Sequence, residues 1–124
     1  FIGYENVMEG VIVSSSDGEC LIDASGLQLR ASCTLPEGRG VTFCIGADEI
    51  VIHPPQAPRP GLENTVQGVI TAITQAGYLT RVRIDAGAKL SAVMVREKAD
   101  DMTLRVGSRV LLTIRKNAIR IIGN

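Results

Sequence analysis

One eight-residue phrase occurs twice in this chain. Glu5-Asn6-Val7-Met8-Glu9-Gly10-Val11-Ile12 returns as Glu63-Asn64-Thr65-Val66-Gln67-Gly68-Val69-Ile70. An internal repeat constrains architecture more than any local pattern, because each copy must build the same supersecondary unit. The likeness continues past the phrase. Cys20-Leu21-Ile22-Asp23-Ala24 matches Val82-Arg83-Ile84-Asp85-Ala86, and Leu29-Arg30-Ala31 matches Leu90-Ser91-Ala92. Gly40 to Ile45 matches Arg109 to Ile114, and Ile50-Val51-Ile52 matches Ile119-Arg120-Ile121. The offset grows along these pairs, so the second copy is longer, with its main insertion between the third and fourth segments.

A boundary falls where the repeat requires one. Four of the five prolines lie in His53-Pro54-Pro55-Gln56-Ala57-Pro58-Arg59-Pro60-Gly61. Proline fixes φ and cannot donate to a β-ladder, so an extended, stiff linker is predicted over 54–61. It separates a first unit, 1–53, from a second, 62–124.

The matched segments read as strands. Arg81-Val82-Arg83-Ile84-Asp85 alternates polar and apolar residues, and Val69 to Thr74 and Val110 to Ile114 are rich in β-branched and apolar side chains. Turn signals such as Asp17-Gly18, Ser25-Gly26, Gly77 and Gly87 separate them. Five short strands per copy at regular spacing predict a small barrel. The insertion differs: Val95, Ala99 and Met102 recur at helical spacing, and Arg96 and Asp100 stand one turn apart. A short amphipathic helix is predicted there, ending before Gly107.

With 45% hydrophobic residues and two Phe, two Tyr and no Trp, the interior must be aliphatic. No apolar run is long enough to span a membrane. The chain starts at Phe1, which suggests a piece of a longer polypeptide. Cys20, Cys33 and Cys44 are odd in number and lack C-x-x-C spacing. This favours buried thiols in a reducing compartment over a disulfide or metal site. His53 has no ligand partners at useful spacing and reads as a loop residue.

Net charge is zero, but residues 1–60 hold Arg30, Arg39 and Arg59 against eight acidic side chains, and the remaining ten basic residues face five acidic ones in 61–124. The overall neutrality argues against duplex nucleic acid as a partner, and the basic second half leaves a small anion as an attractive one. Phosphate loops, dinucleotide fingerprints and nucleophile–histidine sets are absent. The pairs Asp48-Glu49 and Asp100-Asp101 read as solvated carboxylates. No catalytic residue and no metal ligand is assigned.

The chain resembles the paired TOBE, or MOP-like, regulatory domain at the C-terminus of ABC-transporter ATPase subunits, most closely those importing molybdate, tungstate or related oxyanions. Phe1-Ile2-Gly3-Tyr4-Glu5-Asn6-Val7 is similar to the phrase that joins the nucleotide-binding domain to this appendage. Cys44-Ile45-Gly46-Ala47-Asp48-Glu49-Ile50-Val51 resembles the family's C-I-R-P-E-D-I-V segment, and Ala92 to Gly107 its A-x-x-T-R-x-S-A-E-E-L-x-L-x-x-G segment. The resemblance implies an all-β fold of two tandem OB-like barrels. It also implies a homodimer beside the nucleotide-binding domain of a parent ATPase, in the cytoplasm and reaching the membrane only through the transporter.

It implies an oxyanion site as well, with no other cofactor. The family's Ser-Ala-Arg-Asn motif falls on Gly61-Leu62-Glu63-Asn64, where Asn64 matches and Glu63 replaces the arginine. The Thr-x-x-Ser motif falls on Val95 and Lys98, and neither matches. The Lys-Ala-Ser/Thr motif falls on Arg115-Lys116-Asn117, where a charge and a polar group are kept. The candidate anion-binding set is therefore Asn64, Lys98, Arg115, Lys116 and Asn117. Two other readings follow from the same resemblance: a free-standing molybdate-storage protein, and the effector half of a molybdate-responsive transcription regulator.

Overall fold

The computed structural model describes residues 6–57 and 64–124. Ten strands and one α-helix are found among them. In the first half these are β1 (Asn6–Ser16), β2 (Glu19–Ala24), β3 (Leu27–Ser32), β4 (Gly40–Ile45) and β5 (Val51–His53), with a 3₁₀ turn at Ala47–Glu49. The second half holds β6 (Asn64–Ala76), β7 (Leu79–Asp85), β8 (Lys89–Val95), α1 (Arg96–Met102), β9 (Arg109–Ile114) and β10 (Ile119–Gly123), with a 3₁₀ turn at Lys116–Ala118. The strands form two five-stranded antiparallel sheets curled into OB-like barrels, as the repeat predicts.

The sheets exchange their last strands. One runs β10-β4-β1-β2-β3 and the other β5-β9-β6-β7-β8. Thus β5 of the first half pairs with β9, Ile52 lying opposite Leu112, and β10 of the second half pairs with β4, Ile121 lying opposite Phe43. The repeat divides the sequence at the proline-rich stretch, but each sheet in space takes one strand from across that division. The start of this stretch is a turn, Ala57 N–H donating to the Pro54 carbonyl at 3.1 Å, where an extended linker was expected. Positions 58–61 lie outside the described residues, as does the Phe1–Glu5 part of the joining phrase.

The repeated phrase has a packing cause. Gly10 on β1 crosses β2 so closely that a Cβ there would sit 2.7 Å from Ile22 Cγ2 and 2.8 Å from the Asp23 carbonyl oxygen. Gly68 is equally crowded against Ile84. Just beyond each glycine the long strand bulges, between Ile12 and Ser14 in β1 and between Ile70 and Ala72 in β6. Bulges bend a strand so that its two ends can serve different parts of a small barrel. The isoleucine before each bulge is bracketed alike: Ile12 bonds Arg39 and Gly38, and Ile70 bonds Ser108 and Gly107.

One continuous aliphatic cluster runs through both halves, from Ile12, Ile22 and Leu29 to Ile84, Leu90 and Leu112, with fully buried Phe43 as its aromatic member. In α1, Ala99 is buried and Met102 packs on this cluster, as its spacing suggested. Val95 does not: it ends β8 and is 57% exposed. Arg96 and Asp100 form no ion pair, and His53 lies at the end of β5, its Nε2 2.9 Å from Thr113 Oγ1.

The cysteines also depart from expectation. Cys20 and Cys33 form a disulfide, leaving Cys44 as a buried free thiol. The β2–β3 register explains it. Cys20 lies opposite Ala31, and Cys33 two residues on shares the same sheet face. The second half has Val82 where the first has Cys20 and builds the same strand pair, so the fold does not depend on the bond.

Two buried asparagines tie the halves together. Asn6 donates to the Ser91 carbonyl at 2.9 Å and accepts from the Ser91 N–H at 2.7 Å. Its repeat counterpart Asn64 donates to the Arg30 carbonyl at 2.9 Å and accepts from the Arg30 N–H at 2.7 Å. Each amide thus imitates one rung of a missing neighbour strand on the outer edge of β8 or β3. Truncation would leave a backbone donor and acceptor unpaired. Asn64→Ala is expected to cost about 2–3 kcal/mol in urea unfolding, and Asn6→Ala a similar amount; a loss within error of zero for both would show that the clamps carry no stability.

Candidate functional site

The second 3₁₀ turn, Lys116–Ala118, packs on β3 of the first half and brings its cations to a junction between the halves. Lys116 Nζ donates to Glu19 Oε1 at 2.8 Å, and Arg30 Nη1 donates to Glu19 Oε2 at 3.1 Å. The Glu19 carboxylate therefore bridges two positive groups, directly beside the point where Asn64 clamps the Arg30 backbone. Arg115 and Asn117 flank Lys116 and are exposed.

Of the residues expected to meet an anion, the structure brings Asn64 and Lys116 to this corner, with Arg115 and Asn117 on the same turn. Lys98 stands apart, on the exposed side of α1, which rests on β7 and β8. The Asn64 amide is committed to the Arg30 backbone on both its oxygen and its nitrogen. Sequence reasoning missed Glu19 and Arg30. The signal available was the β2–β3 register, which sets Leu21 opposite Arg30 and Glu19 opposite Ser32 and so puts Glu19 and Arg30 within diagonal reach.

A related pair sits across the molecule. Arg120 on β10 holds Glu49 of the first 3₁₀ turn through two bonds, 2.6 Å and 3.1 Å. A forked guanidinium–carboxylate contact of this kind is the stronger form of an ion pair. Both carboxylates titrate low. For Glu19 the bond from Lys116 matters most, then the bond from Arg30; for Glu49 it is the bond from Arg120.

Among the described residues, no group of three or more His, Cys, Asp or Glu is placed to hold a metal ion. The chemistry at the junction is that of charged hydrogen-bonding groups around a carboxylate, with no nucleophile–base pair.

Residues 62–121 match the family model of the TOBE domain. The second half of this chain is similar to a TOBE domain. Domains of this family are non-catalytic binding domains. No curated protein matches the chain. Among solved structures it is similar to the cytoplasmic molybdate-binding protein ModG, in a PEG-grown form with molybdate bound. The TM-score is 0.78 and the identity 17%, over 94% of each chain. That likeness extends the TOBE-like fold over both halves.

The lowered carboxylates fix a sign for pH dependence. The unfolded chain takes up protons on Glu19 and Glu49 in the ordinary carboxylate range, and the folded chain only below it. Their contribution is therefore present above that range and is lost as pH falls through the lowered folded values. Glu19→Gln is expected to flatten the acid limb of a stability–pH curve measured by urea unfolding. An acid limb identical to that of the parent would remove Glu19 from the account.

Proposed function

We propose that this chain is a non-catalytic, oxyanion-responsive domain that takes molybdate, tungstate or a similar anion. In the reading developed from its sequence, it is the cytoplasmic regulatory and dimerisation appendage of an ABC importer ATPase. It would pair with a second copy of itself, sit against the nucleotide-binding domain of its parent chain, and reach the membrane only through the transporter. The observation that carries the anion reading is the gathering of cations where the two barrels interlock, in a fold shared along its length with a molybdate-binding protein. A tetrahedral dianion needs convergent donors and compensating charge, and a junction between repeats supplies both from separate strands.

At the first corner the site would comprise Arg115, Lys116 and Asn117, with Asn64 holding the backbone beneath. Glu19 already occupies its centre as an internal carboxylate, and an arriving anion would compete with it. The acidic first half and basic second half would favour antiparallel pairing of two copies.

A second reading is supported by the same comparison. The likeness covers 94% of the ModG chain, so a protein described as a cytoplasmic molybdate binder shares this fold along nearly its whole chain. A storage protein or the effector domain of a transcription regulator would use the fold in the same way. The two readings differ in what precedes Phe1: a phosphate loop for the transporter, a winged helix for the regulator, neither for storage.

Disulfides are rare in reducing cytosol. A cytoplasmic location therefore implies that Cys20 and Cys33 are dithiols for part of their life, which the valine-containing second half shows the strand pair would tolerate.

Calorimetric titration with molybdate, tungstate and sulfate, together with light scattering at about physiological salt, about 0.15 M, tests the proposal. Saturable heat with molybdate or tungstate and a dimeric mass are expected. No heat with any of the three would end the anion reading, and a monomer at high concentration would end self-pairing of the isolated chain.

A further inference from the structure

The two halves present equivalent corners, but their chemistry differs. At the first, Asn64 holds β3 and Glu19 draws Arg30 and Lys116 together. The register of the strand pairs gives the equivalent positions at the second, where Asn6 holds β8. Ile22 is opposite Leu29 as Ile84 is opposite Leu90. Arg81 therefore stands where the first half has Glu19, Arg83 where it has Leu21, and Lys89 where it has Gln28. Part of the charge polarity of the sequence falls on this strand pair.

An open pocket of about 550 Å³ lies there, lined by Asn6, Thr71, Arg83, Asp85, Lys89 and Ser91 among others. The charged ends of Arg83 and Lys89 are exposed and make no hydrogen bond or ion pair among the described residues, even though Lys89 lies directly opposite Asp85 in the β7–β8 register. Asp85 is turned to its own loop, its Oδ1 accepting the Gly87 N–H at 3.1 Å. The Asn6 amide is committed to Ser91 and to the Ile45 carbonyl, so it anchors the floor without offering a donor. Thr71 Oγ1 donates to the Arg83 carbonyl at 3.3 Å and steadies that strand beside the bulge. The groups left to meet a ligand are a guanidinium, an ammonium and the half-buried Ser91 hydroxyl.

We infer that this second corner is an oxyanion site for a tetrahedral dianion of the molybdate, tungstate or sulfate class; the inference rests on the oxyanion-binding function proposed above and locates it. The planar fork of Arg83 suits two oxygens of such an ion, Lys89 supplies a mobile second charge, and the Ser91 hydroxyl donates to a further oxygen. Two positive groups against the single, self-engaged Asp85 leave the pocket net positive. Among the described residues, no carboxylate bridges its cations as Glu19 does at the first corner. Among the described residues an anion entering here has no internal competitor to displace, so this corner binds more tightly than its counterpart.

Calorimetric titration of the whole chain with molybdate and with sulfate tests this in three variants. Arg83→Ala/Lys89→Ala is expected to weaken binding by at least about tenfold. Ser91→Ala leaves every charge in place and is expected to weaken it by about fivefold, which loss of general electrostatic attraction would not do. Arg115→Ala/Lys116→Ala is expected to weaken it less than Arg83→Ala/Lys89→Ala does, because an anion at the first corner competes with Glu19 for Lys116. Thermal melts confirm that these variants remain folded. If Arg83→Ala/Lys89→Ala binds as the parent does while Arg115→Ala/Lys116→Ala loses affinity, the inference is overturned and the oxyanion function stands at the first corner. If the parent itself gives no heat with either anion, both fall together.

Discussion

Each barrel in this molecule is finished by a strand from the other half of the chain. Without β10, β4 would expose one edge of the first sheet; without β5, β9 would expose one edge of the second. An unpaired edge leaves backbone donors and acceptors to water or to another chain. The exchange covers the β4 and β9 edges with a short strand from the other half, and the Asn6 and Asn64 amides fill a rung on the β8 and β3 edges. A duplicated half-size unit that could bury little surface alone thereby becomes one body with one aliphatic core.

The same exchange decides where function can sit. Because β5 and β10 cross between halves, the 3₁₀ turn before each crossing strand is carried onto the other half's edge. The turn at Lys116–Ala118 rests on β3, and the turn at Ala47–Glu49 rests on β8. The two corners so formed are equivalent in backbone and free to diverge in side chains. One holds a carboxylate clasped by Lys116 and Arg30. The other presents Arg83 and Lys89 to solvent. Polarity that cancels over the whole sequence is thus expressed as a difference between two copies of one structural position.

The repeat made much of this fold readable in advance. The glycine, valine and isoleucine shared by the two phrases reflect a crossing that tolerates no Cβ at Gly10 or Gly68, followed by the same bulge in each long strand. Alternation in Arg81 to Asp85 placed a strand correctly, and Ala99 and Met102 marked the packed side of α1. The strand exchange was not readable, because β5 and β10 are short, nearly interchangeable apolar runs whose patterns suit either sheet. The disulfide was hidden for a different reason: thirteen residues separate Cys20 from Cys33, and only the hairpin register brings them together. Matching the site motif position by position pointed to Asn64 and Lys116, which reach the same corner through Arg30 and Glu19, and to Lys98, which lies elsewhere. It passed over Glu19, whose role depends on a contact across halves that no local pattern encodes.

Interlocked sheets should open together or not at all, and native-state hydrogen exchange across a denaturant series reads this directly. The most protected amides of β4 in one sheet and β9 in the other are expected to converge on a single opening free energy with a common denaturant dependence. If the β9 amides instead exchange through a separate, lower-energy opening while β4 stays protected, the two sheets are independent units and the central claim is wrong.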